Sequence, residues 1–206
     1  MDTKLTGKTR IESDLIGARE IPAEALYGVQ TLRGIENFSI SKFRLSEYPL
    51  FIKGLAITKM AAAMANFELG LLTVEQKDAI IAACGEIIDG KHHDQFPVDM
   101  IQGGAGTTTN MNANEVIANR ALELMGHERG EYQYCSPNDH VNCSQSTNDA
   151  YPTAIHIGMY FKHLQLLPHL EELIASFRKK GEEFSRIIKM GRTQLEDAVP
   201  MTLGQT

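Results

Sequence analysis

The sequence predicts a mainly α-helical protein: a small irregular N-terminal helical domain over residues 1–147, then the start of a long-helix central bundle over 148–206. Two observations carry this. From about Pro49 onward, apolar residues recur at three- and four-residue spacing, the period of a helix with one buried face. Gly70, Gly90 and Gly126 then stand just past three such stretches, where helices commonly close in the left-handed conformation.

Residues 1–48 are broken by Gly7, Gly17, Pro22, Gly28 and Gly34 and read as irregular, with short extended stretches such as Leu45–Leu50 between turns. Ala56, Met60, Ala63, Met64 and Phe67 then mark a first long helix. Thr73 and Gln76 have the spacing of a capping box and open a second helix, with Ile80, Cys84, Ile87 and Ile88 on one face. The pair reads as a helical hairpin. Asn112 and Glu115 repeat the capping-box spacing ahead of Ile117, Ala121, Leu124 and Met125. Residues 127–147 are polar and loop-like. From about Asn148 to Ile188 the helical pattern returns, with Pro168 expected to kink or restart it. The apolar positions of this last stretch spread more widely than one neighbour would need, so the chain reads as a fragment of a longer protein.

With 206 residues and 43% apolar content the chain can bury a real core. A net charge of −6 with no basic stripe argues against nucleic acid or a membrane surface as a partner. The N-terminal residues lack the apolar run of a signal peptide, and no stretch reaches the roughly 18 apolar residues of a membrane span. Cys84, Cys135 and Cys143 are odd in number and unpaired by spacing, as expected in a reducing, cytoplasmic compartment.

The most informative stretch is 101–114, IQGGAGTTTNMNAN, with three glycines and three consecutive threonines ahead of a helical pattern. Glycine lets backbone N–H groups approach a ligand, threonine hydroxyls add donors, and the positive end of the following helix favours an anion. A plain capping loop would use the same residues. No lysine follows the glycines and no β-rich run precedes them, so phosphate-loop and dinucleotide readings fail and a carboxylate is the better anion.

Two further clusters of neutral donors accompany Thr107-Thr108-Thr109-Asn110: Ser144 to Asp149, and Gly191-Arg192-Thr193-Gln194. Each alone could be a turn or a cap. Converging, they would stabilise a carboxylate whose charge grows during reaction, as in carbanion or enolate chemistry. Other candidates are weaker. His92-His93-Asp94 reads as a solvated turn rather than a metal site, and His156 and His163 as the lining of a polar groove. Arg192 is expected to pair with Glu196 or Asp197, and Glu115 and Glu123 to serve as cap and surface.

The stretch 137–152, PNDHVNCSQSTNDAYP, together with GGAGTTTNMNANEVIANRA at 103–121, KMGRTQLEDAVPMTLGQ at 189–205 and RIESDLIGAREIPAEALYGVQTLRGIENF at 10–38, resembles the aspartase branch of the aspartase/fumarase superfamily. The likeness spans nearly the whole chain. It implies reversible anti elimination of ammonia from L-aspartate to give fumarate through an aci-carboxylate, in a homotetramer whose active sites draw on three subunits. It implies no organic cofactor, with Mg²⁺ activation known among relatives. By position it assigns Thr107, Ser146 and Thr147 to the carboxylate clamp, and Asn148, Thr193 and Gln194 to the surroundings of the substrate amino group. It places the general-base serine, on a Gly-Ser-Ser loop, beyond Thr206, so no catalytic base is expected within these residues and the 206 residues alone are expected to be inactive.

Fumarate hydration is the alternative within the superfamily. Where many relatives carry histidine after Gly-Arg-Thr this chain has Gln194, and where a fumarase-like pattern has aspartate and serine it has His140 and Thr147, all of which favour the aspartase reading. A non-catalytic helical module is the remaining alternative for the residues taken alone.

Overall fold

The computed structural model describes residues 7–206. The chain divides into two compact units that part between Met159 and Tyr160.

The first unit opens with a hairpin, β1 (Thr9–Asp14) paired antiparallel with β2 (Gly17–Pro22). The turn is made by Asp14, whose Oδ1 accepts from the backbone of Ile16 and Gly17 at 2.9 and 3.2 Å, with Gly17 at φ 129°. Gly17, one of the glycines that suggested irregular structure here, thus serves a turn. A first helix, α1 (Val29–Asn37), also escaped the sequence reading because Gly28 and Gly34 interrupt its pattern. Gly34 is required there: a Cβ on it would stand 2.3 Å from the Thr108 methyl. Leu45–Leu50 is not extended. Leu45–Glu47 forms one 3₁₀ turn and Pro49 begins the next helix, where its fixed φ is suitable and its missing N–H costs no hydrogen bond.

Helix α2 (Pro49–Glu68) and helix α3 (Val74–Ile88) form the expected hairpin. Thr73 Oγ1 accepts from Gln76 N at 3.2 Å while Gln76 Oε1 accepts from Thr73 N at 3.1 Å, the reciprocal capping box the spacing called for. The buried stripe of α2 runs through Ile52, Leu55, Ala56, Lys59, Ala63 and Asn66, and Met64 is 50% exposed, so the stripe is rotated from the one read in the sequence. By length and composition α2 could span a bilayer, which the composition reading missed; here its buried positions join the core.

Helix α4 (Thr107–Leu124) lies at the centre of this unit, with Val116, Ile117, Ala118, Ala121 and Leu122 fully buried against Ile80, Cys84 and Ile87 of α3 and Leu55 of α2. It starts ahead of the proposed Asn112 cap. Asn112 and Glu115 are interior to it and buried, and Glu115 does not cap its own helix. Its carboxylate instead accepts from the backbone N–H of Gly28, Gln30 and Thr31 and from the Thr31 hydroxyl, at 2.6–3.0 Å, closing the N-terminus of α1 from across the fold. Burial pushes the Glu115 carboxyl up, against the pull of those four donors. Leu124 is 42% exposed rather than part of the apolar face.

After the polar stretch 127–147, which contains one wide turn at Pro137–Val141, helix α5 runs as Thr147–Glu183. It does not restart at Pro168. Within the first unit its Ala154 meets α2 so closely that a Cβ on Gly54 would lie 2.2 Å from the Ala154 carbonyl oxygen.

The second unit holds the remainder of α5 and an antiparallel hairpin, β3 (Ile188–Thr193) with β4 (Glu196–Thr202). The helical pattern read from about Asn148 to Ile188 gives way to this hairpin, for which the sequence reading named no element. Gln194 and Leu195, at φ 48° and 68°, form a two-residue turn whose twist matches paired strands, although neither residue favours that conformation. Leu164, Leu166, Leu170, Leu173, Ile174 and Phe177 are all 40% or more exposed.

Candidate functional site

Gly106 takes φ 83°, which ends the glycine loop and lets α4 begin at Thr107. The consecutive threonines then divide their work. Thr107 is exposed at the helix N-terminus, and the Thr108 methyl fills the space beside Gly34. Thr109 is buried and held by Gln102, whose amide accepts from Thr109 N at 2.8 Å and donates to Thr109 Oγ1 at 2.7 Å. Gln102, rather than a threonine, thus caps the Thr109 N–H, and Thr107 is the threonine left available to a ligand.

The second cluster is built by Asn142. Its Nδ2 donates to Gln145 O at 3.0 Å, and the turn passes through Ser144 at φ 56°. Gln145 Nε2 donates to Val141 O and Cys143 O, and Asn66 Nδ2 also donates to Cys143 O, so three side chains hold this turn. Ser146 follows as the cap of α5: its Oγ accepts from Asn148 N at 3.2 Å and its carbonyl from Asp149 N and Ala150 N. Thr147 Oγ1 accepts from Asn110 Nδ2 at 3.3 Å, a direct bond between two of the three clusters.

Between them lies a cleft of about 480 Å³, lined by Met100, Gln102, Gly104, Ala105, Gly106, Asn148, Tyr151, Pro152 and Ile155. No lining residue is charged. The Tyr151 ring packs over Gly106, where a Cβ would stand 2.3 Å from a ring carbon. Of the predicted site residues only Asn148 lines this cleft; Thr107 directly follows the lining Gly106 at the N-terminus of α4, where an anion is favoured, and Ser146 and Thr147 directly precede Asn148, with Thr147 tied to Asn110 of α4. Thr193 and Gln194 belong to the second unit, at the end of β3 and in the β3–β4 turn, both exposed.

The weaker candidates resolve structurally. His92 Nε2 lies 2.8 Å from Glu86 Oε2 and His93 Nε2 2.9 Å from Ile87 O, and among the described residues no three His, Cys, Asp or Glu side chains gather as a metal site. Arg192 Nε pairs with Asp197 Oδ1 at 2.9 Å, as expected. Glu123 binds Arg120 and Arg129, and Glu86, paired chiefly with Arg120, is held down at about 2.

Sequence reasoning missed Lys59, Gln102, Asn142 and Tyr151. Lys59 left a signal, since it falls on the apolar stripe of α2 between Ala56 and Ala63. Gln102 and Asn142 left none, because a polar residue in a polar loop looks the same whether it faces solvent or holds a turn, and Tyr151 left none because its packing over Gly106 is a tertiary contact.

The lyase family profile matches residues 17–206, and the chain belongs to that lyase family. It is 61% identical over 196 residues to aspartate ammonia-lyase of Pseudomonas canavaninivorans and 57% identical over 202 residues to that of Escherichia coli K12, covering 95% and 98% of this chain. The chain spans 41–42% of the length of these curated relatives. Among solved structures it is similar to the fumarate lyase:delta crystallin of Brucella melitensis in native form (TM-score 0.88, 55% identity, 96% of this chain and 46% of that one). A class II fumarase of Schistosoma mansoni also matches (TM-score 0.85, 40% identity, 96% of this chain and 42% of that one).

Proposed function

We propose that the protein to which these residues belong is an aspartate ammonia-lyase, eliminating ammonia reversibly from L-aspartate to give fumarate. The observation that carries the reading is the uncharged cleft at the start of α4, in a chain 57–61% identical to aspartate ammonia-lyases. In the elimination, a base takes the Cβ proton, the electron pair moves into the β-carboxylate as an aci-carboxylate, and the C–N bond then breaks with loss of ammonia. Charge grows on the β-carboxylate in the first step. Hydroxyls of Thr107, Ser146 and Thr147 suit that step, since fixed neutral donors gain strength as the charge develops and bring no competing ion. Asn148, Thr193 and Gln194 are assigned to the amino group and its surroundings, and the base to a serine outside these residues.

Fumarate hydration is the second reading, supported by the 40% identical class II fumarase. The higher identity to aspartate ammonia-lyases and Gln194, which cannot serve as an acid or base near neutral pH, favour ammonia. Following fumarate absorbance with the full-length protein, from aspartate and from malate, decides between them; turnover of malate alone would overturn the assignment.

The proposal extends to assembly and location. The exposed apolar side chains along α5 suit a homotetramer packed through its long helices, and the free thiols Cys84, Cys135 and Cys143 suit a reducing cytoplasm.

A further inference from the structure

Among the described residues Lys59 is the largest fully buried side chain, 0% exposed on the core face of α2, and its side-chain partner is an amide rather than a carboxylate. A lysine ammonium removed from water costs several kcal/mol unless something compensates. What it meets is an amide: Lys59 Nζ donates to Asn142 Oδ1 at 2.9 Å. The same oxygen accepts from Asn110 Nδ2 at 3.0 Å and Asn114 Nδ2 at 3.2 Å. Three N–H donors thus converge on one acceptor. Asn110 Oδ1 and Asn114 Oδ1 are left buried without a hydrogen-bond partner. Such an arrangement does little for stability in itself, but it leaves the Asn142 side chain a single orientation.

That orientation has a consequence for the cleft. With Oδ1 directed into the core, Asn142 Nδ2 points back to Gln145 O and closes the turn 142–145. Ser146 and Thr147 follow directly, and Asn110, which shares the Asn142 oxygen with Lys59, also holds Thr147 Oγ1.

We propose that Lys59 is a positioning residue for substrate binding: through Asn142 and Asn110 it sets the turn that presents Ser146 and Thr147 to the cleft. It touches no substrate and acts through these two amides. This rests on the assignment of Ser146 and Thr147 to the substrate carboxylate, so its test carries a readout that needs no substrate.

Lys59→Met and Asn110→Ala are to be made in the full-length protein. Amide hydrogen exchange across residues 142–148 is then measured alongside aspartate kinetics. In both variants exchange over 142–148 is expected to accelerate at least tenfold with α3 unchanged, and KM for aspartate to rise at least threefold per folded site. A purely structural role would lower the amount of active protein and leave KM unmoved, which would overturn the proposal. Should Lys59→Met fail to fold, Asn110→Ala decides alone: unchanged exchange and unchanged KM refute the relay. Faster exchange in a protein whose unsubstituted form never turns over aspartate would uphold the tether and refute the functional assignment instead.

Discussion

Asn110 Nδ2 donates to Thr147 Oγ1 at 3.3 Å, so the buried first turn of α4 holds the first residue of α5. Two segments separated by the whole polar stretch 127–146 are thereby registered on each other. The glycine loop and the start of α5 form one cleft because of contacts of this kind.

Thr107 and Ser146 present hydroxyls at helix starts beside that cleft. Replacing either with alanine in the full-length protein is expected to lower kcat/KM for aspartate at least tenfold, about 1.4 kcal/mol of transition-state binding. Steady-state kinetics measure this, and unchanged values in either variant would remove that residue from the site.

Gly106 combines φ 83° with a position under the Tyr151 ring. Gly106→Ala is strained in the backbone and also pushes Tyr151 into the cleft, so it should raise KM for aspartate while α4 remains folded. Circular dichroism together with kinetics tests this; unchanged KM would mean that the ring does not border the substrate.

Glu115 satisfies three backbone N–H groups and the Thr31 hydroxyl in the interior. Glu115→Ala leaves these donors buried without an acceptor and is expected to cost about 3 kcal/mol or more, with Glu115→Gln costing less because one oxygen remains. The denaturant midpoint reports it. Equal stability of the alanine variant and the unsubstituted protein would disprove the cross-fold cap.

Burial holds the Lys59 amine down at about 7, against 10.5 for a free lysine. Between these pH values the unfolded chain binds the proton that the folded chain has released, so stability rises with pH above about 7. Cys84 and Cys135, both raised to about 12 by burial, act oppositely above pH 9, where the unfolded thiols ionise first. Stability is therefore expected to climb from pH 7 to about 9 and then to level or fall. Lys59→Met should abolish the climb, and chemical denaturation at pH 7, 8 and 9 measures it.

Much of the helical framework was legible. The Thr73–Gln76 box and the spacing of Ile80, Cys84 and Ile87 located α3, because capping and one-sided burial are local properties that the residue order encodes directly. The β1–β2 and β3–β4 hairpins were not, since six- and seven-residue strands exposed on most positions carry no clear alternation. Glu115 was misread for a related reason. Its spacing from Asn112 satisfies a local rule, yet its carboxylate answers donors more than 80 positions away.

The residue order by itself determined that four long helical stretches follow Pro49, which clusters supply neutral donors, and to which superfamily the chain is related. Only the tertiary structure decided which members of each cluster are free to meet a ligand. Thr107 and Thr109 are the same residue two positions apart, and packing sends one to the surface and ties the other to Gln102. It likewise decided that a lysine, buried among apolar neighbours, would hold an asparagine amide in place. Hydrogen-bond partners of buried polar groups are chosen by the elements that enclose them, and those come from distant parts of the chain.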